Sequence, residues 1–161
     1  MNVKEKGATL VEFALVAVFF ITVMFAIIEF GYLYWVNLTM QHAVREGARY
    51  AAVTGPSNFS APTPQNPASQ AEQRCNAVVG AIRTNSMGLY DKVSPNLTFS
   101  TVNSDTGNIV AINSNCGGAT DIIMIKLQST LPLITPIMRP FFTNGKYNFT
   151  VSATMKNEGF K

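Results

Sequence analysis

The spacing of apolar and polar residues divides the chain into a greasy N-terminal third and a remainder of mixed periodicity. From Phe13 to Ile28 no charged residue occurs, and beyond Glu29 the chain stays apolar through Phe30, Tyr32, Leu33, Tyr34, Trp35 and Val36. About 20 apolar residues suffice to cross a bilayer. As helix, Ala8 to Trp35 would extend about 42 Å, beyond a hydrocarbon core of roughly 30 Å, so both ends should reach the interfaces. The helical pattern then continues into water. Leu38, Met40, Ala43, Val44, Ala48, Ala51 and Ala52 fit one stripe, while Arg45, Glu46 and Arg49 break the apolar character. Thr54-Gly55-Pro56 is a stop, so one helix is predicted over 8–53, with its membrane span at about 8–36.

The remaining segment, 54–161, reads as an outer globular domain. Residues 56–68 hold four prolines and predict a loop without a regular element. Ser69-Gln70-Ala71-Glu72 is a capping box, and a second helix should follow to near Gly88, presenting Cys75, Val78, Val79 and Ile82 on one face. Period-two alternation marks strands at Tyr147–Met155 and, more weakly, at Ile123–Leu127. Leu97–Val102 and Ile109–Ile112 flank a turn built on Ser104-Asp105-Thr106-Gly107-Asn108. The prolines of Leu131–Phe142 argue against a central strand there. That stretch predicts a short helical or irregular apolar connection that covers a sheet edge or meets a neighbour. The fold class is α+β: a long membrane helix running into a small domain of one helix on a three- to four-stranded antiparallel sheet.

Charge orients the chain. Lys4 and Lys6 precede the span and should stay in the cytoplasm, while Tyr32, Tyr34 and Trp35 form the outer aromatic belt. The apolar stretch is longer than the 7–15 residues of a signal-peptide core and runs on into more helical sequence, which disfavours cleavage on its outer side. Two carboxylates interrupt it. Glu29 is expected at the outer interface beside the aromatic belt, with little desolvation. Glu12 stands at the inner edge, and a carboxylate inside a bilayer costs about 2.5–3.5 kcal/mol on insertion scales. A cut after Gly7 would create an α-amino group at Ala8, one turn before Glu12 on the same helical face. In a bundle, the Glu12 carboxylate could then pair with that amine on a neighbouring subunit. Glu12 lying at the inner headgroup level is the plainer alternative.

Gly7-Ala8-Thr9-Leu10-Val11-Glu12-Phe13-Ala14, Ile28-Glu29-Phe30-Gly31 and Ala43-Val44-Arg45-Glu46-Gly47-Ala48-Arg49-Tyr50-Ala51 stand in order along one helix. Together they resemble type IV-like prepilins, and more closely the TadE-like minor pilins of the tight-adherence (Tad) pilus, over roughly residues 6–53. The resemblance implies residues 1–7 as leader, processing between Gly7 and Ala8 by a prepilin peptidase, and subunit registration through Ala8 and Glu12. It also implies helix packing through Phe13 to Val36. Gly31, with no side chain, would allow close helix approach. Expected partners are other pilin subunits, the assembly platform and, before assembly, membrane lipid. Many major type IV pilins begin the mature chain with Phe, whereas Ala8 would begin this one. That departure fits the Tad group and leaves methylation of the new amine open. The expected location is the bacterial inner membrane with the outer domain facing the periplasm, or a surface pilus.

Cys75 and Cys116 are the only cysteines, both on the expected outer side, where disulfides persist. A bridge between them and a pair of free buried thiols are the two readings. Net charge is +3, with no run of Lys or Arg and hence no nucleic-acid groove. His42 is the sole histidine, so one chain cannot assemble a two-His metal site, and its expected role is a polar position on the exposed helix. No catalytic residue, metal site or cofactor is expected. Asp105-Thr106-Gly107 has the aspartic-protease pattern in one copy, and its neighbours make a good turn. The sequons at Asn37, Asn58, Asn96 and Asn148 matter only where N-glycosylation occurs. The leading expectation is a filament subunit for adhesion or pilus biogenesis. A permanently anchored periplasmic binding or scaffold protein is the rival, and it needs the helix but no cut after Gly7.

Overall fold

The computed structural model describes residues 3–60, 69–103, 106–112 and 116–159. Ser104 and Asp105 of the predicted turn, residues 61–68 of the predicted loop, and Met1 and Asn2 lie outside the described residues. The chain forms two compact units, Met1–Trp35 with Pro132–Tyr147, and Val36–Leu131 with Asn148–Lys161. Helix α1, Val3–Val53, is continuous and contributes to both. Its helical backbone begins at Val3, five residues before the expected start at Ala8. Lys4, Glu5 and Lys6 are good helix formers, and Gly7 weakens the helix without ending it. The C-terminal end falls at Val53, just before Thr54-Gly55-Pro56.

In the first unit, α1 presents an apolar surface: among the described residues, none of its most apolar 18-residue window is buried. The hydroxyl of Thr22 donates to the Val18 carbonyl at 2.8 Å, which satisfies it within the helix itself. The rest of the unit is a strap. Its residues Pro136–Phe141 form a 3-10 helix, and Thr143–Gly145 a further turn. Asn144 and Gly145 have φ of 56° and 63°, a left-handed pair that reverses the chain into the last strand. The predicted short helical connection is therefore present. Within this unit it packs with α1.

The second unit is built on α2, Gln70–Asn85, and a four-stranded antiparallel sheet. Strands β1 (Asn96–Val102), β2 (Ile109–Ile112), β3 (Ile122–Pro132) and β4 (Lys146–Lys156) lie in the order β2-β1-β3-β4. Phe99 sits opposite Ile112 on one side and Ile125 on the other. Ile123, Ile125, Leu127 and Leu131 of β3 and Phe149 and Val151 of β4 are buried, with polar residues such as Lys126, Gln128 and Thr150 between them exposed. Strand β3 is longer than the alternation at Ile123–Leu127 suggested. It runs on to Pro132, where a proline at the strand end removes no interior ladder bond.

Helix α2 starts at the Ser69 cap, whose hydroxyl accepts from the Glu72 N–H at 3.2 Å. It stops at Asn85, three residues before Gly88, because Ser86 turns its N–H back to the Arg83 carbonyl. Val78 and Ile82 are buried and Val79 only half so. On α1, Val36, Met40, Ala43, Val44, Ala48, Ala51 and Ala52 are buried, whereas Leu38, placed in the stripe from sequence, is 46% exposed. Gly47 explains how closely the helices approach: a Cβ there would collide with Cγ1 of Ile82. Pro56–Asn58, expected to be irregular, makes one 3-10 turn, which a proline at its first position tolerates.

Candidate functional site

The long helix carries the candidate site, and its residues divide into two groups. Gly7 is exposed within the helix, and space around its α-carbon is open. The unbroken helical backbone holds Ala8 and Glu12 one turn apart. Glu12 is exposed, and so are Leu10, Val11, Phe13, Leu15 and Val16 around it. Gly31 is also exposed, with nothing within 4 Å of a Cβ placed on it. Gly31 therefore makes no close helix approach among the described residues. At 3.6 residues per turn these consecutive positions lie all round the helix, so its N-terminal part exposes apolar side chains on every side, with Glu12 among them.

Glu29 behaves differently. Expected at an interface with little desolvation, it is 2% exposed and fully engaged. One carboxylate oxygen accepts from the Ile134 N–H at 2.9 Å. The other accepts from the Thr135 N–H at 2.9 Å and the Thr135 hydroxyl at 2.5 Å. Three donors replace the water that burial removes, which is what a buried carboxylate requires. The partners lie 105 and 106 residues away, so local sequence could not reveal them. A signal existed nonetheless: Glu29 falls in step with Leu33, Val36 and Met40, all buried on the same helix. Beside the clamp, Phe30 and Phe142 have ring centroids 6.4 Å apart, and Phe142 meets Tyr147 edge-on at 6.4 Å.

In the second unit, Arg74 is the group that sequence reasoning missed. It is 1% exposed, and its guanidinium donates to four carbonyls: Ala51 and Thr54 at 2.5 Å, Gly117 at 2.7 Å and Cys116 at 2.9 Å. The first two belong to the open C-terminal end of α1, where a cation is favoured by the helix dipole. The N–H of Glu158 closes the same end on the Ala52 carbonyl at 2.8 Å. Burial draws the Arg74 pKa below the usual arginine value, yet a guanidinium stays protonated. Its clue was position: Arg74, Val78 and Ile82 recur at four-residue spacing along the buried side of α2. Next to it a disulfide joins Cys75 to Cys116, with α-carbons 5.5 Å apart. Asn157 adds bonds from its amide to the carbonyls of Cys116 and Gly118. Arg74, the disulfide and Asn157 thus tie α1, α2, the Cys116–Gly118 loop and the C-terminal segment together.

His42 is exposed on α1 and, with Leu38, Thr39, Thr84, Asn85 and Met87, lines a shallow groove of about 410 Å³. Among the described residues no group of three or more His, Cys, Asp or Glu is placed to hold a metal ion. Asp105, which carries the protease-like triplet, lies outside them. No curated protein and no solved structure matches the chain. Over residues 7–49, the stretch of helix that holds Glu12, Glu29, Gly31 and Gly47, the chain matches the family described as TadE-like protein.

Proposed function

We propose that the protein is a structural subunit, a minor pilin or pseudopilin of a Tad or type IV-like pilus, that serves adhesion or pilus biogenesis. A prepilin peptidase processes it after Gly7, and it assembles through its N-terminal helix. One observation carries this reading: the most apolar window of α1 is unburied and the helix bears one exposed carboxylate, Glu12, near the start of its apolar run. Such a surface needs lipid before assembly and other apolar helices after it. Gly7 suits a cleavage point, because glycine costs a helix about 1 kcal/mol relative to alanine and opens locally with least resistance. After the cut, the Ala8 ammonium of one subunit neutralises Glu12 of the next in a medium where unpaired charge is costly. Gly31 leaves room for a neighbouring helix backbone. The inner membrane holds the subunit with its sheet-bearing part on the periplasmic side, as Lys4 and Lys6 direct.

Intact mass of the protein extracted from its native membrane tests the processing step. Loss of Met1–Gly7 is expected. A full-length chain in a strain that forms normal fibres would sink the proposal and favour the anchored scaffold. Glu12→Ala is expected to insert normally and to fail in assembly. Wild-type piliation by that variant would remove the charge-pairing step.

A further inference from the structure

The Glu29 clamp fixes the depth of the strap that binds it. Glu29 lies 17 residues beyond Glu12, or about 26 Å along the helix axis. A hydrocarbon core is roughly 30 Å thick. With Glu12 at the inner boundary, the Glu29 carboxylate reaches the outer boundary. Ile134 and Thr135 bind that carboxylate directly, so the strap is held at the same level.

The composition of the strap suits that level. Ile134 is 64%, Ile137 50% and Phe141 79% exposed. Arg139 and Lys146 are exposed beside them, and no Asp or Glu occurs from Ile122 to Asn157. The same unit exposes Phe30, Tyr34 and Trp35 on α1, so the apolar surface of the strap continues that of the helix. Apolar side chains mixed with basic ones and free of acids match the boundary between headgroups and acyl chains. Because Glu29 is sealed by three donors, the one acid of this unit at that level is masked from the lipid phosphates.

We propose that the strap Leu133–Phe142 is a second membrane contact, lying in the outer interface of the phospholipid bilayer. Ile134, Ile137 and Phe141 enter the acyl boundary, and Arg139 and Lys146 meet lipid phosphates. The proposal rests on the reading of α1 as a membrane span. Glu29 is then the latch that sets the depth of the strap.

Depth-dependent fluorescence quenching tests it with the full chain in vesicles of phosphatidylethanolamine and phosphatidylglycerol. Trp35 is the only tryptophan. In the unaltered chain it reports the span, and in Trp35→Phe/Phe141→Trp the new indole reports the strap. Trp35→Phe/Ile137→Trp gives an independent probe should the first variant misfold. The expected result is a blue-shifted strap emission that is lost to lipids brominated near the carbonyl end and protected from acrylamide. Three results overturn the proposal. If Trp35 is quenched by brominated lipid while the strap probes emit as in water, the span stands and the strap contact falls. If the strap probes are shielded from lipid and acrylamide alike, another protein covers the strap. If an indole placed inside the span by Trp35→Phe/Phe19→Trp escapes lipid quenching, the span reading falls and takes the strap with it.

Discussion

Glu29 and Arg74 are buried polar side chains whose partners come from far along the chain, and removing either exposes that dependence. Glu29→Leu leaves the N–H groups of Ile134 and Thr135 without their acceptor. Each buried group so orphaned costs about 1–3 kcal/mol. Faster amide exchange at Ile134 and Thr135 is expected, with proteolysis appearing within the strap. Unchanged exchange at both amides would contradict the clamp. Arg74→Lys keeps the charge but cannot reach four carbonyls, since an ammonium is a point donor and a guanidinium a planar fork. A loss of at least about 1–3 kcal/mol in denaturant unfolding of the sheet-bearing unit is expected. Gly47→Ala tests the close approach of the helices. Its methyl group collides with Ile82, so overpacking should cost about 1–3 kcal/mol even though alanine favours helix. Glu29 was singled out from sequence but placed at an interface, and Arg74 was missed, because a side chain's partner across 42 or 105 residues leaves no local pattern.

Elements were far more legible than those side chains. Alternation in β4, the Ser69 cap of α2 and the Gly-Pro stop of α1 are local signals, and local physics decides them. The misjudged element boundaries have physical causes too. Strand β3 outruns its alternating stretch because Gln128 to Thr130 is polar in sequence while Ser129 is buried in the sheet. The helical backbone of Val3–Gly7 was missed because the expected cut after Gly7 suggests a boundary that the continuous helix does not need. The disulfide belongs at this scale, since it ties α2 to the loop before β3. It spans 41 residues, and closing such a loop is worth about 4 kcal/mol in the chain-entropy estimate. Reduction should lower the unfolding midpoint of the sheet-bearing unit accordingly, and a Cys75→Ser/Cys116→Ser variant should show the same loss without reductant. An unchanged midpoint in both would mean that Arg74 and Asn157 hold the loop unaided.

At the scale of the whole molecule, two kinds of stability coexist. The sheet-bearing unit depends on its own buried core, on Arg74 and on the disulfide. The exposed apolar surface of α1 draws on lipid or on neighbouring helices, and among the described residues none of its most apolar window is buried. Insertion therefore depends on the composition of the helix, and not on whether the sheet is folded. Backbone hydrogen bonds within α1 are all a bilayer requires of it. Reducing the disulfide and adding denaturant should abolish the β-sheet signal of the vesicle-bound protein while the chain stays with the membrane through alkaline carbonate washing. Release of the chain into the soluble fraction as the sheet melts would show that the folded unit anchors it instead. Retention, combined with loss of assembly in Glu12→Ala, would support two separate uses of one helix under the proposed function: its apolar surface would hold the protein in lipid, and Glu12 would register it against the next subunit.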